Sequence, residues 1–285
     1  MARRDDGRYD PAANLITRSL GHVPMARKSR KPVDSTFIAW GDTRFGDRPR
    51  FGNADPRHAI QEQMRNLAGW PWPRSAEEER AGKAAEAVGA IDFVVHTGNR
   101  LAGTDDVDHE LVLLNYARSH LPIRQLETLG PRDMAKASQA EFVQRFGGHC
   151  YAVISHGVYV VSLFVEHDAG GTPRVADGEL AWLEQDAHET ADAFPTLLLL
   201  HARLDRLANA DAVLAAISPY RMAIAVSGDE SGPAIYDAAG VKGLNVGSSC
   251  DAAAVGSEHR SMAVVHITDE VVKPAVWQWG SQDWA

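Results

Sequence analysis

The stretch Asp92–Asp105, "DFVVHTGNRLAGTD", packs three apolar residues into a row and then breaks at Gly98 into a polar loop. An unalternated run of Phe93, Val94 and Val95 fits a strand buried on both faces. The same grammar recurs in "STFIAWGDTR" (Ser35–Arg44), "IRQLETLGPRD" (Ile123–Asp133), "FPTLLLLHARLD" (Phe194–Asp205) and "RMAIAVSGDES" (Arg221–Ser231). Each is a short apolar run that ends in a polar cluster, and four of the five clusters contain a glycine, which lets backbone approach a ligand closely.

Helical patterns separate these runs. "DPRHAIQEQMRNLAG" (55–69) opens on Asp-Pro and places Ile60, Met64 and Leu67 at helical spacing, and "WPWPRS" ends it because proline cannot continue a helix. "VDHELVLLNYARSHL" (107–121), "EFVQRFGG" (141–148), "DGELAWLEQDAHETA" (177–191, with Asp177 as N-cap) and "ADAVLAAISPY" (210–220) read as further helices. "CYAVISHGVYVVSLFVEH" (150–167) predicts a hairpin turning at His156-Gly157. "GVKGLNVGSS", "SMAVVHITD" and "VVKPAVWQWGS" close the chain as β-rich segments. Strands alternating with helices, then hairpins, predict a layered α/β protein with mixed sheets, whose ligands bind beyond the carboxyl ends of the strands.

The chain has 285 residues, enough to bury a sizeable core. A net charge of -9 argues against a general nucleic-acid binder, which needs a basic face for phosphate. Residues 1–34 are locally basic and read as a solvated arm or lead-in, with 35–285 as one domain. Two cysteines, Cys150 and Cys250, make a disulfide framework unexpected and read as small buried thiols. No apolar run approaches the ~20 residues of a membrane span, and the charged N-terminus lacks a signal-peptide core. A soluble cytoplasmic protein is expected; nothing in the sequence speaks to its oligomeric state.

The five clusters are Asp42 and Arg44; Asn99 and Arg100; Arg132 and Asp133; His201, Arg203 and Asp205; and Asp229 and Glu230. In order, spacing and strand-then-turn context they resemble the motifs of the calcineurin-like metallophosphoesterase superfamily, over roughly residues 35–280. The hairpin after the third cluster, the helix "GELAWLEQDA" before the fourth and "LNVGSS" after the fifth add to the resemblance. It implies a four-layer α/β sandwich of two mixed sheets flanked by helices. It also implies a site where two metal ions would activate a water against a phosphorus centre.

The departures bear on function more than the match. On the family pattern Asp42 and His201 stand unchanged. Arg44 occupies a histidine-ligand position, Asn99 that of the bridging aspartate, Pro131 that of an asparagine ligand and Arg132 that of the acid histidine. Asp229 and Ser231 replace the last two histidines. Asparagine offers a neutral oxygen, proline no side-chain donor, and arginine a fixed positive charge without a lone pair. Two like unit charges about 4 Å apart already repel by ~4 kcal/mol at an effective dielectric near 20. Ordinary di-metal chemistry is therefore disfavoured.

The expectation is a divergent protein of this fold that binds a phosphate- or carboxylate-bearing ligand in a pocket lined by Arg44, Asn99, Arg100, Arg132 and Arg203. It would act either as a pseudoenzyme or by metal-independent acid/base chemistry, with His201 as acid or base oriented by Asp42 or Asp229. Against this, the same arginines can simply pair with Asp47, Asp133, Asp205 and Asp229. No resident cofactor is favoured. One alternative is a metal-dependent phosphoesterase holding a single Mn, Zn or Fe ion through Asp42, Asn99, His201 and Asp229. Another is a protein-binding module. Trp70 and Trp72 read first as packing residues and second as a wall of the cleft, Trp277 and Trp279 as residues on one strand face, and His96 as a satisfied core histidine.

Overall fold

A computed structural model describes residues 32–46, 61–62, 64–74, 76–168, 170–190, 194–229, 232–249, 261–278 and 283–284. The apolar runs of the sequence become its strands. In the first sheet, β1 (Asp34–Trp40), β2 (Phe93–His96) and β3 (Arg124–Glu127) run parallel. The sheet continues antiparallel from β1 through β12 (Ser261–Thr268) and β13 (Val272–Gln278) to β14 (Asp283–Trp284). In the second, β5 (Val158–Ser162), β8 (Thr196–Leu199), β9 (Met222–Ser227) and β11 (Val241–Asn245) are parallel neighbours, with β4 (Tyr151–Ser155) and β10 (Ala234–Ala238) antiparallel at the edges. Two short strands, β6 (Glu166–His167) and β7 (Pro173–Arg174), pair apart from both sheets.

Strand alternation sorts the core. On β1, Phe37 and Ala39 face the second sheet, where they meet Val160, Leu197, Leu199 and Val226, while Ile38 and Trp40 face outward. Phe37 stacks on Phe93 at 4.9 Å between ring centroids. The outer face of the first sheet is covered by α2 (Val107–Ser119) and by Met64, Leu67 and Trp72. The outer face of the second is covered by α4 (Asp177–Thr190) and α5 (Ala210–Ile217). The result is the four-layer mixed-sheet sandwich, completed by the short α1 (Ala76–Arg80) and by α3 (Lys136–Phe146). Among the described residues no helix is long and apolar enough to cross a membrane.

Most expected elements appear at their expected places. The hairpin turns at His156 (φ 48°) and Gly157 (φ 83°), both left-handed as a two-residue turn requires. Helix α3 begins five residues before the expected Glu141, because the Ala-Ser-Gln-Ala stretch adds helix length that the apolar pattern does not mark. β10 (Ala-Ile-Tyr-Asp-Ala) and β7 (Pro-Arg) went unanticipated; β10 is broken by Asp237 and β7 has only two residues, and pairing with β11 and β6 forms them. Trp70 and Trp72 pack rather than wall the candidate cleft. Trp70 meets Trp277 edge-on at 4.9 Å, and Trp72 is buried beneath Lys273. Trp279 and the start of the 55–69 helix lie outside the described residues.

Candidate functional site

Asp42, Asn99 and Arg132 follow the carboxyl ends of β1, β2 and β3; His201 and Asp229 follow those of β8 and β9. The two sheets meet at this rim, so five residues far apart in sequence surround one cleft or its floor.

The floor is a pair of loops zipped by backbone. Asp42 N–H donates to the Gly98 carbonyl (3.0 Å), Arg44 N–H to Asn99 (3.1 Å) and Phe45 N–H to Arg100 (2.8 Å). Asp42, Arg44 and Asn99 hold left-handed backbone (φ 51°, 47° and 53°), which costs a side-chain-bearing residue of order 1–3 kcal/mol each. Gly98 and Gly130 let the second and third loops touch: a Cβ on Gly98 would lie 2.8 Å from the Gly130 nitrogen.

The side chains on this floor satisfy one another. Oδ1 of Asp42, a fully buried residue, accepts from Arg44 Nε at 2.9 Å and from Asn99 Nδ2 at 3.0 Å. Asn99 Oδ1 in turn accepts the Arg132 backbone N–H at 3.0 Å. The second carboxylate oxygen, Oδ2, is buried and takes no hydrogen bond. His201 is 5% exposed, and its Nδ1 lies 2.8 Å from the Thr97 carbonyl oxygen. A carbonyl can only accept, so Nδ1 carries the proton and Nε2 is left for the cleft. Thr97, rather than Asp42 or Asp229, therefore orients His201. Asp229 is held instead by Asn245, whose Nδ2 donates to Asp229 Oδ1 at 2.9 Å and whose Oδ1 accepts Asp229 N–H at 3.1 Å.

Above the floor opens a cleft of about 760 Å³, lined by Asn99, Arg132, His201, Arg206, His167 and Asp229 among others. Of the four expected arginines, only Arg132 reaches it. Arg44 lies on Asp42. Arg203 forks onto Asp205, with Nη2 2.6 Å from Oδ2, and rests on the Tyr236 ring. Arg100 turns fully inside, where Nη1 donates to Glu127 (3.0 Å) and Glu141 (3.1 Å) and Nη2 to Ser138 (3.0 Å). Burial lowers its pKa, but Asp133, Glu127 and Glu141 outweigh that and raise it above the ordinary value. Burial likewise raises the Glu127 pKa, and Arg118, Arg145 and Arg100 override it, leaving the carboxyl well below its usual range. Arg203 thus pairs with the expected Asp205, Arg100 has the expected Asp133 at 3.6 Å besides Glu127 and Glu141, and Arg44 pairs with Asp42, a partner the sequence reading did not name; Asp47, Glu230 and Ser231 lie outside the described residues.

Two cleft residues escaped the sequence reading. Arg206 ends a 3-10 turn (Leu204–Arg206), one turn beyond Arg203, and His167 lies on the short β6. The i+3 spacing from Arg203 was the available signal, but it needs the turn to be known first.

These residues do not fit a two-metal centre. The Asp42 carboxylate is engaged by a guanidinium, the Asn99 carbonyl by a backbone N–H, and Pro131 offers no donor. Among the described residues no group of three or more His, Cys, Asp or Glu side chains could hold a metal ion.

No protein-family model and no curated protein matches the sequence. Solved structures do. A dimetal phosphatase from Danio rerio is 13% identical, covering 90% of this chain and 98% of its own, with a TM-score of 0.63. GAP50, the anchor in the inner membrane complex of Plasmodium, is 11% identical, covering 88% and 86%, with a TM-score of 0.58. At such identities the likeness is one of architecture, and the architecture is the calcineurin-like metallophosphoesterase fold.

Proposed function

We propose that this protein binds a phosphate- or carboxylate-bearing ligand in the cleft between Arg132, Arg206 and His201, and that it does so without the two metal ions of the ordinary hydrolytic centre. The observation that carries this reading is the Asp42–Arg44 pair at 2.9 Å. A carboxylate already neutralised by an internal guanidinium has lost most of its attraction for a dication, and the guanidinium repels one. The fixed positive charge of Arg132 and Arg206 supplies anion affinity in its place.

The test is thermal stabilisation by inorganic phosphate in chelator-treated buffer, since a ligand that binds only the folded state raises the midpoint by mass action. The midpoint should climb with phosphate, and Arg132→Ala should remove the climb. A midpoint indifferent to phosphate would sink the proposal.

A mononuclear phosphoesterase is the second reading. It is favoured by one observation: Asp42 Oδ2 is buried without a hydrogen-bond partner, and an oxygen in that state suits a cation. Metal analysis of protein offered Mn²⁺, Zn²⁺ and Fe²⁺ separates the two. About one ion per chain, abolished by Asp42→Ala or Asp229→Ala, would favour the hydrolase.

A further inference from the structure

Resting on the anion-cleft reading, we infer that His201 is a nucleophile that accepts a phosphoryl group on Nε2, and that the donor is an acyl phosphate.

The geometry is that of an imidazole committed to one tautomer. Nδ1–H is anchored on the Thr97 carbonyl at 2.8 Å, and the ring is buried apart from the edge that lines the cleft. The backbone carbonyl of His201 is tied as well, by Gly228 N–H at 3.1 Å. The ring therefore presents Nε2 to the cleft, with little rotational freedom left to lose on reaction. A backbone carbonyl at Nδ1, unlike a carboxylate, can never take up the ring proton. It fixes the tautomer and supports the charge that appears on the ring as the N–P bond forms.

Arg132 and Arg206 line the same cleft and offer permanent charge to the phosphoryl oxygens, which gather negative charge as they pass through transfer. In the step itself, the Nε2 lone pair forms the N–P bond. The P–O bond to the acyl group breaks, and its electron pair leaves on the carboxylate. No proton is transferred; the ring becomes an imidazolium that keeps its Nδ1–H on Thr97, balanced by the dianionic phosphoryl group. Water then attacks phosphorus, the N–P pair returns to Nε2, and phosphate departs with the water's protons.

The leaving group sets the donor class. An alkoxide needs a proton to depart at neutral pH, and neither guanidinium that faces the phosphoryl group can give one; among the described residues His167 on β6 is the one other imidazole on the cleft, and a donor whose leaving group needs no proton does not call on it. A carboxylate leaves unaided.

The experiment uses radiolabelled acetyl phosphate on the full chain, followed by intact-mass and peptide analysis at neutral pH. We expect a single phosphoryl adduct at His201, labile to acid and stable to alkali. His201→Gln should lose it. Arg132→Ala, whose side chain is exposed, should fold normally and label at least tenfold more slowly. Phosphate-dependent melting is run alongside. Phosphate stabilisation without an adduct overturns the nucleophile and leaves the anion cleft standing. Labelling that survives His201→Gln also overturns it. Absence of both signals removes the cleft reading and this inference together.

Discussion

Arg44 Nε donates to Asp42 Oδ1 at 2.9 Å, across two residues of one loop, with both residues in left-handed backbone and nearly sealed from solvent. A pair made this locally and this deeply is strained to build and costly to break. Truncating one partner leaves the other as an uncompensated buried charge, which typically destabilises by about 3–5 kcal/mol. Arg44→Ala should therefore lower the unfolding free energy, read from denaturant melts, by that amount. Arg44→Ala with Asp42→Ala should cost clearly less than the two single effects summed, because the second removal relieves the first. Additive losses in a double-mutant cycle would mean that the pair carries no coupling.

Arg100 and Arg132 were equivalent in the sequence and are opposite in the structure. Arg100 is fully buried and donates to Glu127, Glu141 and Ser138; Arg100→Met leaves both carboxylates to Arg118, which already holds Glu127 and Glu141 (2.7 Å to the latter), and should cost about 2–3 kcal/mol. Arg132 is exposed and donates Nη1 to the Ala102 carbonyl at 3.2 Å, so Arg132→Ala should cost only about 0.5–1 kcal/mol, the net worth of one hydrogen bond. Urea melts of the two variants check this contrast, and equal losses would contradict the placement.

This pair also shows where sequence stops being legible. The strands, their order and the polar loops at their ends follow from apolar periodicity and glycine position, which are local. Where a guanidinium points depends on which carboxylates the fold delivers to it. Glu127 ends β3 and Glu141 lies in α3, and neither neighbours Arg100 until the chain has folded. Arg203 and Asp205, two residues apart, pair locally and were foreseeable; so was Arg44 beside Asp42. Arg206 and His167 reach the cleft only through a 3-10 turn and a two-residue strand, elements too short to leave a periodic trace.

His96 is a structural histidine with a pH consequence. It accepts the Gly98 N–H on Nδ1 (3.2 Å), so its proton sits on Nε2 and reaches Thr43 Oγ1 (2.9 Å), whose own proton goes to the Arg100 carbonyl (3.2 Å). Burial lowers its pKa from 6.5 to about 3, with Arg100, Arg118 and His201 adding to the fall against Glu127. Between about pH 3 and 6.5 the unfolded chain binds a proton here that the folded chain does not. The His96 contribution is thus complete above about 6.5 and is lost as pH falls. Glu179 works in the other direction: burial, with Glu166 adding and the Phe164 N–H opposing, raises it from 4.5 to about 7, so its contribution is present at low pH and lost as pH rises through 7. The clean measurement is a difference. Subtracting the His96→Gln pH–stability curve from wild type should leave a rise between about pH 3 and 6.5, because the Glu179 contribution is common to both curves and cancels. A flat difference would show that His96 is not buried neutral.

Gly98 has a left-handed φ of 90°, and a Cβ there would sit 2.8 Å from the Gly130 nitrogen and 2.9 Å from the Leu129 carbonyl carbon. Both contacts are backbone, so nothing can swing aside. Gly98→Ala should destabilise by about 1–3 kcal/mol and shift the Asn99 loop. Gly240 has nearly the same φ, 89°, but no atom near its Cβ position, so Gly240→Ala carries only the conformational cost, about 1 kcal/mol. Thermal melts that rank these two variants the other way would deny the close approach of the second and third loops.

Arg203 and Arg206 lie three residues apart and separate a buttress from a binding group. Arg203 is already spent on Asp205 and Tyr236, whereas Arg206 lines the cleft with Arg132 and His201. If cleft charge binds the anion, Arg206→Ala should weaken phosphate affinity by about tenfold, the loss of one charge-assisted contact worth about 1.4 kcal/mol. Arg203→Ala should leave that affinity within about twofold while slightly loosening the 3-10 turn. Both affinities should fall with added chloride, because the attraction is screened. Isothermal titration with phosphate at two ionic strengths reads all of this at once. If Arg203→Ala proved the more damaging substitution, the anion would have to sit on the outer side of the 3-10 turn, and the cleft between Arg132 and His201 would lose its ligand.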